Sequence, residues 1–270
     1  MSQRLDAATR AARAAGRIVA EKLGQTRTIK SKGKRDIVTD ADFAADRSVR
    51  SILHASFPRD QFLSEEDSQE KREGLWARVK VADDTRLWVV DPLDGTTNYA
   101  QHLPCFSVSI ALYQAGAVQI GVVYDPLRRE MFAAERGQGA FLNGQRLTVS
   151  VKRTFQMAVV GTEWARTPKL RGRTAAIFSQ MLVQATTGRA LGSAALSLCY
   201  VAAARFDAYF HLSLSPWDVA AGALIVEQAG GRVTSLTGAP WTVHSKGYVV
   251  SNGYLHSQML RFCQPRQKTR

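Results

Sequence analysis

At 270 residues, 45% of them hydrophobic and 22% charged, the chain has the apolar content of a folded globular protein, which excludes a fibrous or largely disordered one. Its formal charge of +13 attracts anions in general, so a solvated basic surface, a phosphorylated substrate and, last, nucleic acid are the readings; no aromatic-interleaved basic motif supports the last. Cys105, Cys199 and Cys263 lie too far apart for a zinc spacing, even with His102 near Cys105, and the absence of a long apolar run leaves a cytoplasmic location without membrane contact as the expectation.

Apolar residues at helical spacing predict a helix from Leu5 to Leu23 and a second from Asp40 to His54, with Phe43, Val49 and Leu53 on its apolar face. Between them Gly24 to Arg35 is polar, basic and glycine-containing and reads as an exposed connection. Short apolar runs at Phe62-Leu63 and Leu87-Trp88-Val89-Val90 read as strands, each ending in acidic residues. Two strand-like runs, Phe106 to Tyr113 and Val118 to Tyr124, join around Ala115-Gly116, and Asn143-Gly144 marks another hairpin turn. Further on, Met157 to Gly161 resembles a strand, Leu170 to Ala185 and Ala194 to Ala204 resemble helices, and Ala208-Phe210 resembles a strand. Trp217 to Ala229 is helical in spacing and stops at Gly230-Gly231. Strands Gly231 to Ser235 and Gly247 to Ser251, a short helix and a basic tail from Arg266 complete the chain. The expected organisation is residues 1–150 as helices on an antiparallel sheet, 151–265 as an α/β half and 266–270 as the tail.

Asp91-Pro92-Leu93-Asp94-Gly95-Thr96-Thr97-Asn98 sets two carboxylates three residues apart at a strand end. Magnesium prefers oxygen donors of this kind, and the Leu93 carbonyl adds another. Gly95 lets the backbone approach a ligand, and Thr96-Thr97 can open a helix whose N–H groups face an anion. Asp, Pro, Gly and Thr are also ordinary turn formers, so the segment reads equally as a β-turn with an N-cap. Glu65 and Asp218 stand at similar junctions, where Glu65-Glu66-Asp67 reads also as a solvated charge run and Asp218 as a first-turn acid favoured by the helix dipole. No G-x-S-x-G between a strand and a helix points to a serine nucleophile instead.

Four blocks together resemble the inositol monophosphatase family of lithium-sensitive, magnesium-dependent phosphatases: Asp36-Ile37-Val38-Thr39-Asp40-Ala41-Asp42, Glu65-Glu66, the segment Asp91 to Asn98, and Trp217-Asp218-Val219-Ala220-Ala221-Gly222. The resemblance spans nearly the whole chain and implies a layered αβαβα sandwich of the sugar phosphatase type, of α+β or α/β class. It implies two or three Mg2+ ions held by Glu65, Asp91, the Leu93 carbonyl, Asp94 and Asp218, with Glu65, Thr96 and Asp42 serving catalysis. Substrate contacts would come from Asp94, Gly95, Thr96, Thr97, Ser193, Ala194, His211 and Asp218. A homodimer and a small phosphorylated substrate follow as expectations, inositol-1-monophosphate or a related sugar phosphate first. Fructose 1,6-bisphosphate, a 3'(2'),5'-bisphosphate nucleotide and NADP are alternative substrates, and an RNA- or protein-binding role is the non-enzymatic alternative.

Three positions depart from the family pattern. His211 stands where inositol-processing relatives carry a glutamate that accepts from ring hydroxyls; neutral, it can pair with one hydroxyl, and protonated it would favour a second anion. Ser64 replaces the glycine before the acidic pair and Asp67 the serine after it, and neither change removes a ligand.

Overall fold

The computed structural model describes residues 2–25, 29–33, 36–78 and 85–264, without the side chains of 32, 33, 36 and 76–78. It opens with α1 (Gln3–Lys22), β1 (Ile29–Gly33), β2 (Asp36–Thr39), α2 (Asp40–Ser56), β3 (Gln61–Ser64) and α3 (Gln69–Arg78). β4 (Leu87–Asp94) and the short α4 (Thr96–Ala100) lead into β5 (Ser107–Gln114), β6 (Ala117–Asp125), β7 (Glu130–Glu135), β8 (Gly139–Leu142) and β9 (Gln145–Arg146). There follow β10 (Val159–Thr162), α5 (Pro168–Leu182), β11 (Thr187–Arg189), α6 (Ala194–Ala202), β12 (Ala208–His211) and α7 (Pro216–Gln228). The last elements are β13 (Arg232–Ser235), β14 (Tyr248–Ser251) and α8 (His256–Cys263).

Strands β3 to β9 form one seven-stranded sheet in sequence order, and β11-β10-β12-β14-β13 form a five-stranded one. Period-two alternation sorts their side chains into layers. On β4, Trp88 and Val90 pack with Ala8, Ala12, Val49 and Leu53 of α1 and α2. Leu87 and Val89, one residue out of phase, pack instead with Leu198, Leu224 and other residues of α6 and α7. The smaller sheet repeats the division: Tyr209, Tyr248 and Val250 face α6 and α7, whereas Phe210 and Val249 face Ile177, Met181 and Met259 of α5 and α8. Helix pair, sheet, helix pair, sheet, helix pair is the resulting αβαβα sandwich.

The middle layer is tight. A Cβ on Gly121 of β6 would fall 2.5 Å from the Ala221 carbonyl of α7, so only glycine lets helix and sheet meet there. Helices α6 and α7 are apolar nearly all round because sheets cover them on both sides. Each buried Leu or Val contributes on the order of 1.5–3 kcal/mol.

Hairpin turns fall where expected: Ala115 and Gly116 have φ of 50° and 80°, and Asn143 and Gly144 have 49° and 84°. Other segments differ from expectation. Within Gly24 to Arg35, β1 pairs with β2 through backbone hydrogen bonds, a strand whose polar side chains show no alternation; residues 26–28 and 34–35 lie outside the described residues, as does the tail from Arg266. The larger sheet is not purely antiparallel, since β3 runs parallel to β4, a pairing that the long connection through α3 permits. α3 has no apolar stripe to announce it, and β7, β8, β9 and β11 are too short for a clear period. Among the described residues no helix is long and apolar enough to cross a membrane, and all three cysteines are free thiols.

Candidate metal centre

β4 lies between β3 and β5, inside its sheet, and loses register with β5 between Asp91 and Asp94. Pro92 lacks the N–H that a central strand needs, so the ladder breaks there. The Leu93 N–H turns back to Asp91 Oδ1 at 3.0 Å, an Asx turn that orients the carboxylate. Gly95 then takes a left-handed φ of 94°, where a Cβ would fall 2.8 Å from the Cys105 carbonyl. α4 starts immediately, with no side chain capping its first N–H groups.

Glu65 follows β3, and its N–H extends the parallel pairing by donating to the Val90 carbonyl at 3.1 Å. Arg72 donates to the Glu65 carbonyl at 2.8 Å. Asp67, in place of the family serine, ties this loop down by accepting from the Ser64 N–H at 2.9 Å, from Arg50 at 2.9 Å and from Lys71 at 2.6 Å. Burial alone would raise the Asp67 pKa; those donors outweigh it and hold it below the usual carboxylate range. Asp218 arrives as the third residue of α7, in a capping box with Ser215, whose N–H donates to Asp218 Oδ2 at 2.7 Å.

One carboxylate oxygen each from Glu65, Asp91 and Asp218 lies within 4.8 Å of the other two. Asp91 is 2% exposed and Glu65 9%. Burial, and then the neighbouring carboxylates, push Asp91 and Asp218 well above the usual range. Arg166, largely exposed, lies 3.6 Å from Glu65 Oε1. Three converging acids, all hard oxygen donors, fit a divalent cation of the magnesium type.

The remaining predicted residues gather around this group in distinct roles. Asp94 is drawn out of it: its carboxylate accepts from the Ser193 hydroxyl, from the Ala194 N–H at 3.2 Å and from the Ala195 N–H at 3.0 Å, linking β4 to the start of α6. Burial raises Asp94 to about 6 despite these donors. The Thr96 hydroxyl lies 3.0 Å from the Leu93 carbonyl and 3.3 Å from Asp42 Oδ1. Asp42 itself closes the capping box of α2, accepting from the Thr39 N–H at 2.8 Å and the Thr39 hydroxyl at 2.6 Å. Thr97 is exposed beside it. His211 is 4% exposed and its Nδ1 accepts the Ser213 N–H at 2.9 Å, which leaves the hydrogen on Nε2. Burial and the nearby Arg166 lower His211 to about 4, so the ring is neutral at physiological pH.

Glu163, at the end of β10, carries no motif and escaped the sequence reading. Its carboxylate accepts from the Leu191 N–H at 2.9 Å, the Gly192 N–H at 2.8 Å and the Ser197 hydroxyl at 3.1 Å. Asn98 reaches the same turn, donating to the carbonyls of Leu191 at 2.6 Å and Cys105 at 2.7 Å. Burial raises Glu163 to about 7. Only its place directly after a strand, the position shared by Glu65 and Asp91, hinted at it.

A layered sandwich with an acidic cluster beside its larger sheet, able to hold a metal ion, gives the chain a sugar-phosphatase-type fold. More narrowly, it belongs to the inositol monophosphatase family, whose model matches residues 1–268; the family is one of magnesium-dependent phosphatases. It is 37% identical over 268 residues to the Nus factor SuhB of Haemophilus influenzae, covering 98% of this chain and 97% of that one. The crystal structure of the extragenic suppressor protein suhB from Bartonella henselae superposes with a TM-score of 0.90 at 33% identity, covering 98% of this chain and all of that one. The Thermotoga maritima IMPase gives a TM-score of 0.86 at 35% identity and covers 97% of both.

Proposed function

We propose that the protein hydrolyses a phosphate monoester in the presence of magnesium, with inositol-1-monophosphate or a related sugar phosphate as substrate. The observation that supports this most strongly is the meeting of Glu65, Asp91 and Asp218, from three separate elements, within 4.8 Å. These residues and the Leu93 carbonyl would hold one ion, and Asp94 would serve as a ligand to a second. When bound, magnesium supplies charge neutralisation of the phosphoryl group and acidifies water for in-line attack.

The chain's own groups complete the reaction. Thr96, with its proton engaged by Leu93 and Asp42, leaves an oxygen lone pair for a water proton, and Glu65 would share in orienting that water. N–H groups of Gly95, Thr96 and Thr97 would hold phosphate oxygens. Ser193 and Ala194 set the floor of the substrate site through Asp94. Neutral His211 offers an N–H donor to a hydroxyl or ester oxygen, which favours a polyol over a second anion at that position.

Arg166 favours a second reading, since a largely exposed guanidinium beside Glu65 suits an additional phosphate, as in fructose 1,6-bisphosphate, a bisphosphate nucleotide or NADP. Phosphate release over a panel of mono- and bisphosphates, with magnesium and with chelator, separates the two. No magnesium-dependent release from any member, by folded protein, would refute both. A role in transcription complexes, as the name Nus factor suggests for the SuhB relative, would then stand, and salt-dependent RNA binding without turnover would support it.

A further inference from the structure

We propose that a groove along the exposed face of α1 docks an acidic peptide segment bearing an apolar side chain. Two cavities adjoin on this face. One, of about 540 Å³, is ringed by Arg10, Arg13, Arg17 and Arg129. The other, of about 880 Å³, has walls that include Leu5, Met131, Ala133 and Phe141. Arg13 and Arg129 line both, so a cationic trough continues into an apolar one. None of these residues belongs to the carboxylate centre. The groove opens on the α1 side of the sheet, beside β6 and β7, with β5 between it and β4.

Helical spacing sets Arg10, Arg13 and Arg17 in a row, since residues three and four apart share a face. Among the described residues Arg10 and Arg17 pair with exposed acids of their own helix, Asp6 at 2.6 Å and Glu21 at 3.7 Å, contacts weak enough to exchange for a ligand carboxylate. Among the described residues no carboxylate pairs with Arg13 or Arg129. Arg129 takes a left-handed φ of 54°, unusual for a non-glycine residue, at the end of a turn held by Asp125, which accepts the N–H groups of Leu127 and Arg128 at 3.0 and 2.9 Å. The turn thus sets a fourth guanidinium opposite the helical row. Glu135, in the apolar part, is turned to Ser2, whose N–H it accepts at 3.2 Å.

A nucleic acid would use the arginines and leave the aliphatic walls Leu5, Met131 and Ala133 idle, and the ring beneath the arginines, Tyr124, is only 9% exposed. A peptide with carboxylates flanking a Leu or Phe uses both parts.

The test is fluorescence anisotropy with the full chain and a labelled peptide, Asp-Glu-Asp-Leu-Phe-Glu-Asp-Glu. Comparison probes are its amide counterpart, a version with Gly-Ser for Leu-Phe, and labelled oligouridylate. Saturable binding of the acidic peptide is expected, weakened by salt and lowered roughly tenfold or more by Arg13→Glu with Arg129→Glu. Loss of Leu-Phe or of the acids should each lower affinity. Both arginines are exposed, so melting should not change; if it does, the single variants Arg13→Gln and Arg129→Gln carry the test. No binding, affinity indifferent to the arginines or to Leu-Phe, or oligouridylate binding tighter than the peptide and lost in the same variant would each overturn the proposal.

Discussion

Asp91→Asn separates a functional carboxylate from a structural one. At the 4.8 Å outer spacing of the three acids, two unit charges repel by about 3.5 kcal/mol in an effective dielectric constant of about 20, so three ionised groups carry roughly 10 kcal/mol. Proton uptake relieves most of this in metal-free protein, consistent with the raised pKa values of Asp91 and Asp218. Asparagine removes two of the three repulsive pairs and keeps an Oδ1 to accept the Leu93 N–H. The metal-free variant is therefore expected to be more stable than wild type by about 1–3 kcal/mol, or to match it. At roughly 2–4 °C per kcal/mol for a chain of this size, its melting temperature in EDTA should rise by a few degrees.

Magnesium should reverse the order. A ligand at 100 times its Kd stabilises by about 2.7 kcal/mol, a rise of roughly 5–10 °C for wild type. Asp91→Asn should show little of that rise and should lose phosphate release by about a hundredfold or more. Differential scanning calorimetry at neutral pH, with EDTA and with a magnesium series, reads both. A variant that melts far below wild type in EDTA, or that keeps the magnesium shift, would refute the reasoning.

Glu163, held near pH 7 by burial, binds its proton more tightly folded than unfolded, so its contribution is most favourable below about pH 4.5 and is lost as pH rises through 7. Unfolding free energies from urea titration of wild type and Glu163→Gln should diverge by about 3 kcal/mol or less across that window, and parallel profiles would count against it. Gly95→Ala meets both a left-handed φ and the Cys105 carbonyl; a loss of roughly 1–3 kcal/mol in thermal unfolding, with turnover abolished, is expected. His211→Gln should leave the activity profile between pH 5 and 8 unchanged in shape, because the wild-type ring does not titrate there. Arg166→Ala should raise KM for bisphosphates more than for inositol-1-monophosphate; equal effects on both would remove Arg166 from substrate selection.

The segments that carry the candidate ligands were readable because each is short and contiguous: a strand end, a turn, a first helical turn. The periodicity of β4, α2 and α7 placed them correctly relative to their own elements. What joins them was not readable. Asp94 meets Ser193 across 99 positions, and Glu163 supports Gly192 across 29, pairings that no local pattern encodes. The same applies to α3, whose polar face leaves no stripe, and to β1, whose pairing with β2 no apolar alternation announces.

Sequence offered two readings of the acids, local folding device or site, and the folding roles place the same carboxylates where they converge. Asp42 and Asp218 each occupy the third position of a capping box, and each cap leaves Oδ2 on the backbone N–H. The second oxygen then faces inward: Asp42 Oδ1 toward Thr96, and the Asp218 carboxylate toward Glu65 and Asp91. Asp91 likewise closes an Asx turn and joins the cluster. A carboxylate that caps a helix arrives at the centre with its rotamer already chosen, which lowers the entropy lost on binding a cation. Asp218→Asn should accordingly separate the two functions. Its Oδ can still accept the Ser215 N–H, so the start of α7 should keep its amide-exchange protection while magnesium affinity falls. If protection and affinity were lost together, the cap would depend on the charge, and the two functions would not be separable at that residue.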